Sequence, residues 1–191
     1  MAQSLGPAGT GPAAPAPAGT LRRLGAPAVA ATALTATVAL YMTLVAFGNI
    51  TDFGTNQQFA QHVLSMDTTF KDPDLMWRAV ESTALQNAAY VAIIVWETLA
   101  ALVLLAATWF WIAGLRRGAY DRARAASTVG LVMVLLLFGM GFVAIGGEWF
   151  AMWQSSDWNG LDAAARNVAL AGFALLVAHL PGLRGDGAGR S

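Results

Sequence analysis

Residues 88–113 read AAYVAIIVWETLAALVLLAATWFWIA, with one charge, Glu97, in the whole run. A bilayer core about 30 Å thick needs roughly 20 consecutive apolar residues in a helix. This run exceeds that length. Inside lipid a single segment must satisfy its own backbone polar groups, so the run reads as a transmembrane helix. Three more runs flank it: an uncharged one at about 26–50, one at about 127–146, and one at about 163–180 closed by Pro181 and Gly182. Only 12% of the 191 residues are charged and 57% are hydrophobic. A soluble domain carries about 25% charged residues. The expected fold is all-α, a transmembrane four-helix bundle.

The segments between the runs complete the organisation. Residues 1–23 are rich in Ala, Gly and Pro and lack aromatic residues, which predicts a disordered tail. Arg22 and Arg23 close it. A cleaved secretory signal or a twin-arginine signal competes with an uncleaved first span here, but the apolar run is longer than a signal core. The membrane domain is expected over 24–182 and a second short tail over 183–191. Within the polar stretch 51–86, Phe59, Val63 and Met66 recur at i, i+4, i+7, which predicts a short amphipathic helix on the membrane surface. Asp72-Pro73-Asp74 reads as a helix start running into the second span. Asn159 and Asp162 read as the cap of the fourth helix.

Orientation follows from the basic residues. Arg22, Arg23, Arg116, Arg117, Arg122, Arg124, Arg184 and Arg190 fall on one side; Lys71, Arg78 and Arg166 fall on the other. Both termini are therefore expected in the cytoplasm, with the amphipathic helix in the first outer loop. The Ala/Gly/Arg bias points to a GC-rich bacterial genome and so to the plasma membrane of a bacterium. The second outer loop holds Trp149, Phe150, Trp153 and Trp158, suited to an interfacial aromatic belt. A lining for a lipid or quinone headgroup is the other reading of these rings.

Helix association in lipid rests on close packing and buried polar contacts. Gly130, Gly139, Gly141 and the pair Gly146-Gly147 give the third span a small face, and Ala171, Gly172 and Ala174 do the same for the fourth. Glu97 is the sharpest chemical signal, because an intramembrane carboxylate must be paired, hydrated or neutralised. Counting depth from the inner ends places Tyr41 and Thr43 beside it, so a Tyr41–Glu97 hydrogen bond is one expected pairing. Glu97 then reads either as a proton or ligand site or as a structural cross-link. Glu148 and Arg166 sit near the outer ends of adjacent spans and are expected to form an ion pair. His62 lies near Asp52 and Asp67, and His179 lies at the inner face. With no cysteine and two histidines so far apart, no metal and no cofactor is expected. The formal net charge of +0 offers no field for nucleic acid. No phosphate loop, nucleophile elbow or zinc helix motif is present.

Two stretches are similar to a known family. One runs from Asn49-Ile50-Thr51-Asp52 to His62-Val63-Leu64-Ser65-Met66-Asp67-Thr68-Thr69-Phe70, with Met76-Trp77-Arg78-Ala79. The other is Ile145-Gly146-Gly147-Glu148-Trp149-Phe150-Ala151-Met152-Trp153-Gln154-Ser155, then Trp158-Asn159-Gly160. They resemble the domain-of-unknown-function 2165 family of predicted small bacterial integral membrane proteins, over roughly residues 24–181. The resemblance implies topology and carries no catalytic role. With the topology above, Asn49, Asp52, His62, Asp67, Glu148, Trp149, Trp153, Asn159 and Arg166 are expected on one outer surface.

The first functional expectation is a non-catalytic module in the lipid bilayer. It would bind a partner membrane protein, a second copy of itself or a lipid-like molecule through that surface. A small proton-coupled transporter or channel using Glu97 is the alternative, although no internal repeat is visible. An enzyme acting on a lipid or quinone, with His62, Asp67 and Glu148 as its first candidates, is the third.

Overall fold

The computed structural model describes residues 26–180. Arg22, Arg23, Arg184, Arg190, the stop residues Pro181 and Gly182 and the body of both expected tails lie outside the described residues. Five helices follow in order: α1 Pro27–Thr51, α2 Phe53–Ser65, α3 Thr83–Arg117, α4 Asp121–Trp149 and α5 Leu161–Ala178. Short 3-10 turns occupy Met76–Arg78 and Met152–Gln154, and no strand occurs among the described residues. α1, α3, α4 and α5 are each long and apolar enough to cross a membrane.

Local signals explain the helix ends. Pro27 opens α1, where its missing N–H costs nothing. The Ser82 hydroxyl accepts from the Leu85 N–H at the start of α3. Arg116 and Arg117 occupy the last turn of α3, facing the partial negative charge of the helix end. Gly118 then turns the chain with φ +70°, a conformation glycine adopts without a Cβ penalty. Asp72-Pro73-Asp74, expected to start a helix, makes only a turn. The Asp72 carboxylate accepts from the Asp74 N–H, and its carbonyl accepts from Leu75 and Met76. The side chain thereby captures the backbone locally, and α3 begins later, at its own cap.

α1, α3, α4 and α5 close a ring in which each packs on the next and α5 returns to α1. The buried residues of α1 are Ala28, Ala31, Thr35, Val38, Ala39, Met42 and Ala46; those of α5 are Ala164, Asn167, Ala171, Ala174 and Ala178. Both sets recur every three or four residues, one stripe of an α-helix. Alanine in these stripes lets the backbones approach, which is how helices gain contact in lipid. The opposite faces carry Leu40, Leu44, Phe47, Leu102, Trp109, Phe173 and Leu176, all more than half exposed. Apolar exposure of that extent suits lipid as the solvent.

α3 and α4 pack tightly at Gly130. A Cβ there would lie 2.7 Å from Leu104 Cγ and 3.3 Å from Val103 Cγ1. Gly130→Val is expected to force the two helices apart and cost about 1–3 kcal/mol, as overpacking does. The thermal midpoint of the purified variant in neutral detergent checks this, with Gly172→Val, which meets nothing within 4 Å, as the control.

The two ends of the bundle differ. At the arginine-rich end, where the described chain both begins and finishes, Trp111 packs with Ala28, Ala31, Ala123 and Ala178. Its indole N–H donates to Ser127 Oγ at 2.7 Å, and Thr35 Oγ1 lies 3.4 Å from the same oxygen. His179 Nε2 is 2.8 Å from Thr128 Oγ1 at this end.

At the tryptophan-rich end the two connecting loops dock on each other. Thr68 donates to Ser155, the Phe70 N–H donates to the Gln154 side chain, and Phe70 packs edge-on against Trp153. Trp77 and Trp149 make another edge contact, with the Arg78 guanidinium over both rings. α2 is clamped to α3 by Gln57 and Gln61, which both donate to the Asn87 side-chain oxygen. Met66, expected to extend the apolar stripe of α2, instead ends the helix in the left-handed region and is buried under Phe150 and Ala151.

Candidate functional site

Between α1, α2, α3, α4 and α5, beneath the docked loops, lies a cavity of about 580 Å³. Its size falls within the range of small-molecule sites, about 300–1,000 Å³.

Glu97 reaches the cavity because it belongs to the inward stripe of α3: Gln86, Tyr90, Ile94, Glu97, Ala101, Leu104. It is 2% exposed. The expected partner was Tyr41; the structure supplies Asn49, whose amide donates to Glu97 Oε2 at 2.6 Å. Tyr41 lines the cavity without a hydrogen bond to Glu97. The depth count failed because α3 continues through Gly114 to Arg117, beyond the expected end at 113. That extra turn raises the residue of α1 that meets Glu97. Tyr41 lies eight residues before Asn49, about 12 Å along the helix. The Tyr90 hydroxyl donates to the Asn49 carbonyl at 3.2 Å and so holds the end of α1 in place.

The wall opposite Glu97 comes from the second half of α4, Leu136–Trp149, which is a π-helix. Its i→i+5 bonding is rare beyond single turns and is concentrated at functional sites. It presents Leu137 and Phe138, then Gly141 and Phe142, then Ile145 and Gly146 to the cavity. At the α-to-π junction the Met133 carbonyl accepts from the Trp96 indole at 2.9 Å. That carbonyl also accepts from the Leu136 N–H, so it takes two donors inside the apolar layer. A shallower hollow of about 260 Å³ beside Trp96 and Met140 shares Ala92, Ile93, Leu137 and Gly141 with the main cavity.

Several cavity residues were not singled out from the sequence. Asn167 is 8% exposed and lines the cavity, and its amide has no hydrogen-bond partner among the described residues. A polar residue in an alanine stripe was the readable signal. Asn56 and Phe59 of α2 and Phe150 of the second loop also line the cavity. Their placement depends on α2 and the loops folding over the bundle.

The other expected site residues divide. Asp52 accepts from Thr55 on the surface. His62 Nδ1 lies 2.7 Å from Asp67 Oδ2, and its ring stacks on Trp158 with centroids 4.4 Å apart. Asn159 accepts from the Leu161 N–H at the start of α5. Trp149 and Trp153 belong to the docked loops. Glu148 and Arg166, expected as an ion pair, are both exposed and form none among the described residues. Arg166 is two residues beyond Ala164, about 200° around α5 from the buried stripe, so it cannot face the bundle. Asn49, Glu97 and Tyr41 therefore share the cavity, whereas Asp52, His62, Asp67, Glu148, Trp149, Trp153, Asn159 and Arg166 do not line it. Among the described residues, no three His, Cys, Asp or Glu side chains come together as a metal site.

A family model described as predicted small integral membrane protein, the domain-of-unknown-function 2165 family, matches residues 28–181. The match covers all four long helices and the loops that roof the cavity. No curated protein and no solved structure matches the chain.

Proposed function

The chain belongs to this family of predicted small integral membrane proteins, and we propose that it is a non-catalytic membrane module that holds a lipid-like molecule in the cavity beside Glu97. The observation that carries the reading is the cavity itself. It is walled by phenyl rings and aliphatic side chains and holds a few polar groups at fixed positions, the make-up of ligand sites. Asn167 and Tyr41 offer hydrogen bonds that no group among the described residues takes up. A structural cross-link would need only Asn49 and Glu97, with the surroundings closed around them. The hollow beside Trp96 gives a lateral approach from the lipid side.

In this reading the module sits in the plasma membrane of a bacterium. Both chain ends lie in the cytoplasm, in keeping with Arg116, Arg117, Arg122 and Arg124 at that end. α2 and the docked loops then lie in the opposite interface, where exposed Trp77, Trp149 and Trp153 meet headgroups.

Gly141→Leu tests the proposal. A Cβ at Gly141 meets only the Leu136 carbonyl, at 3.8 Å, so a larger side chain can fill the cavity without a backbone clash. Protein purified in mild detergent is expected to retain a bound lipid-like molecule in native mass spectrometry, and Gly141→Leu to lose it with its helix content unchanged. Equal retention in both proteins, or none in the parent, would sink the reading. Proton-coupled transport is a second reading, favoured by the access of Glu97 to the same cavity. Reconstituted vesicles would then show a proton flux that Glu97→Gln abolishes.

A further inference from the structure

Resting on the cavity reading, we infer that the molecule it takes is a lipophilic amine, with its ammonium group at Glu97 and its apolar body among the rings. The inference comes from charge. Among the described residues, Glu97 is the only ionisable acid or base in the lining apart from the phenols of Tyr41 and Tyr90, and no Lys, Arg or His borders the cavity. Among the described residues no cation pairs with Glu97; its hydrogen bond comes from the neutral amide of Asn49. A buried carboxylate held by one neutral donor has a missing partner, and in an apolar layer a cation supplies it best.

The rest of the lining agrees. Tyr41, Phe59, Tyr90, Phe138, Phe142 and Phe150 present six aromatic rings to the cavity. Ring faces attract ammonium groups and repel anions. Asn167 has no partner among the described residues, and its side-chain oxygen is free to accept an N–H from a molecule in the cavity. The same features act against other headgroups. A phosphate or a fatty carboxylate would meet a like charge at Glu97 with no basic residue to offset it, which costs affinity. A neutral alcohol would fit the shape but leave the charge unpaired.

The test uses one chain length and three headgroups: decylammonium, decanol and decyl sulfate. Each is equilibrated by dialysis against the full-length protein in nanodiscs of neutral phosphatidylcholine, with empty nanodiscs as the blank. Decylammonium is expected to bind saturably, at one per cavity and at least tenfold tighter than decanol, and decyl sulfate not to bind. Glu97→Gln, which keeps an oxygen for Asn49, is expected to remove the preference for the amine. Gly141→Leu is expected to abolish binding of amine and alcohol alike. Decanol binding that is sensitive to Gly141→Leu, with no preference for the amine, would overturn the amine assignment and leave the cavity reading standing. No saturable binding of any of the three would overturn both. Because the headgroup comparison is made on the parent protein, it stands even where Glu97→Gln fails to fold.

Discussion

Trp111→Ala is expected to destabilise the purified bundle by about 3–5 kcal/mol, the usual cost of removing a large aromatic side chain from a packed core. Trp111 is fully buried and touches residues that come from α1, α4 and α5. Its loss opens a hole where four helices meet. It also deprives Ser127, itself fully buried, of the indole N–H. Thr35 Oγ1, 3.4 Å away, is then the nearest remaining partner. Trp111→Phe separates the two effects. It keeps most of the volume and loses the hydrogen bond, which alone is worth about 0.5–1.5 kcal/mol. Thermal unfolding in neutral detergent measures both. Trp109, two residues away and 68% exposed, is the control. If Trp109→Ala lowers the midpoint as much as Trp111→Ala does, the buried network is not what holds that end of the bundle.

Asn49→Leu is expected to be the more damaging half of the Glu97 pair. It removes the one hydrogen-bond donor that reaches a carboxyl only 2% exposed. An orphaned buried polar group costs about 1–3 kcal/mol, and more when it is charged. Glu97→Gln keeps an acceptor for Asn49 and is expected to change stability by less than about 1 kcal/mol. The double replacement Asn49→Leu with Glu97→Leu removes both polar groups. It is expected to recover most of the loss, since a buried pair can be exchanged for apolar side chains at little cost. A double-mutant cycle on the unfolding midpoint reads the coupling directly. If Asn49→Leu alone is neutral, Glu97 finds its partner in water within the cavity and not in α1.

Much of this molecule is legible from its residues. Glu97 stands out in 88–113 as the one charged residue of the run. The loop glycine Gly118 and the pair Arg116-Arg117 mark the turn between α3 and α4. The surface of polar and aromatic residues expected beyond the helix ends was read less well. Its members His62, Trp149 and Trp153 took partners within the loops, and Glu148 and Arg166 took none. Each of those residues has a clear local signal, but the signal says only that it sits near a helix end. It does not say which way around the helix it points.

Run length accounts for the four long helices, because lipid forces backbone hydrogen bonds within each segment and length then decides what can span. Of the small residues read as packing faces, Gly130, Gly146, Gly147, Ala171 and Ala174 are buried, whereas Gly172 meets no neighbour. That Asn49, and not Tyr41, meets Glu97 emerges only on packing, because axial register depends on where each helix ends and on the loops that join them. The cavity, too, belongs to the tertiary structure. Tyr41, Val45 and Asn49 of α1 border it over about two turns, the π-helical half of α4 walls it, and α2 with the second loop covers it. Such a space exists only once residues distant in the chain have packed around it.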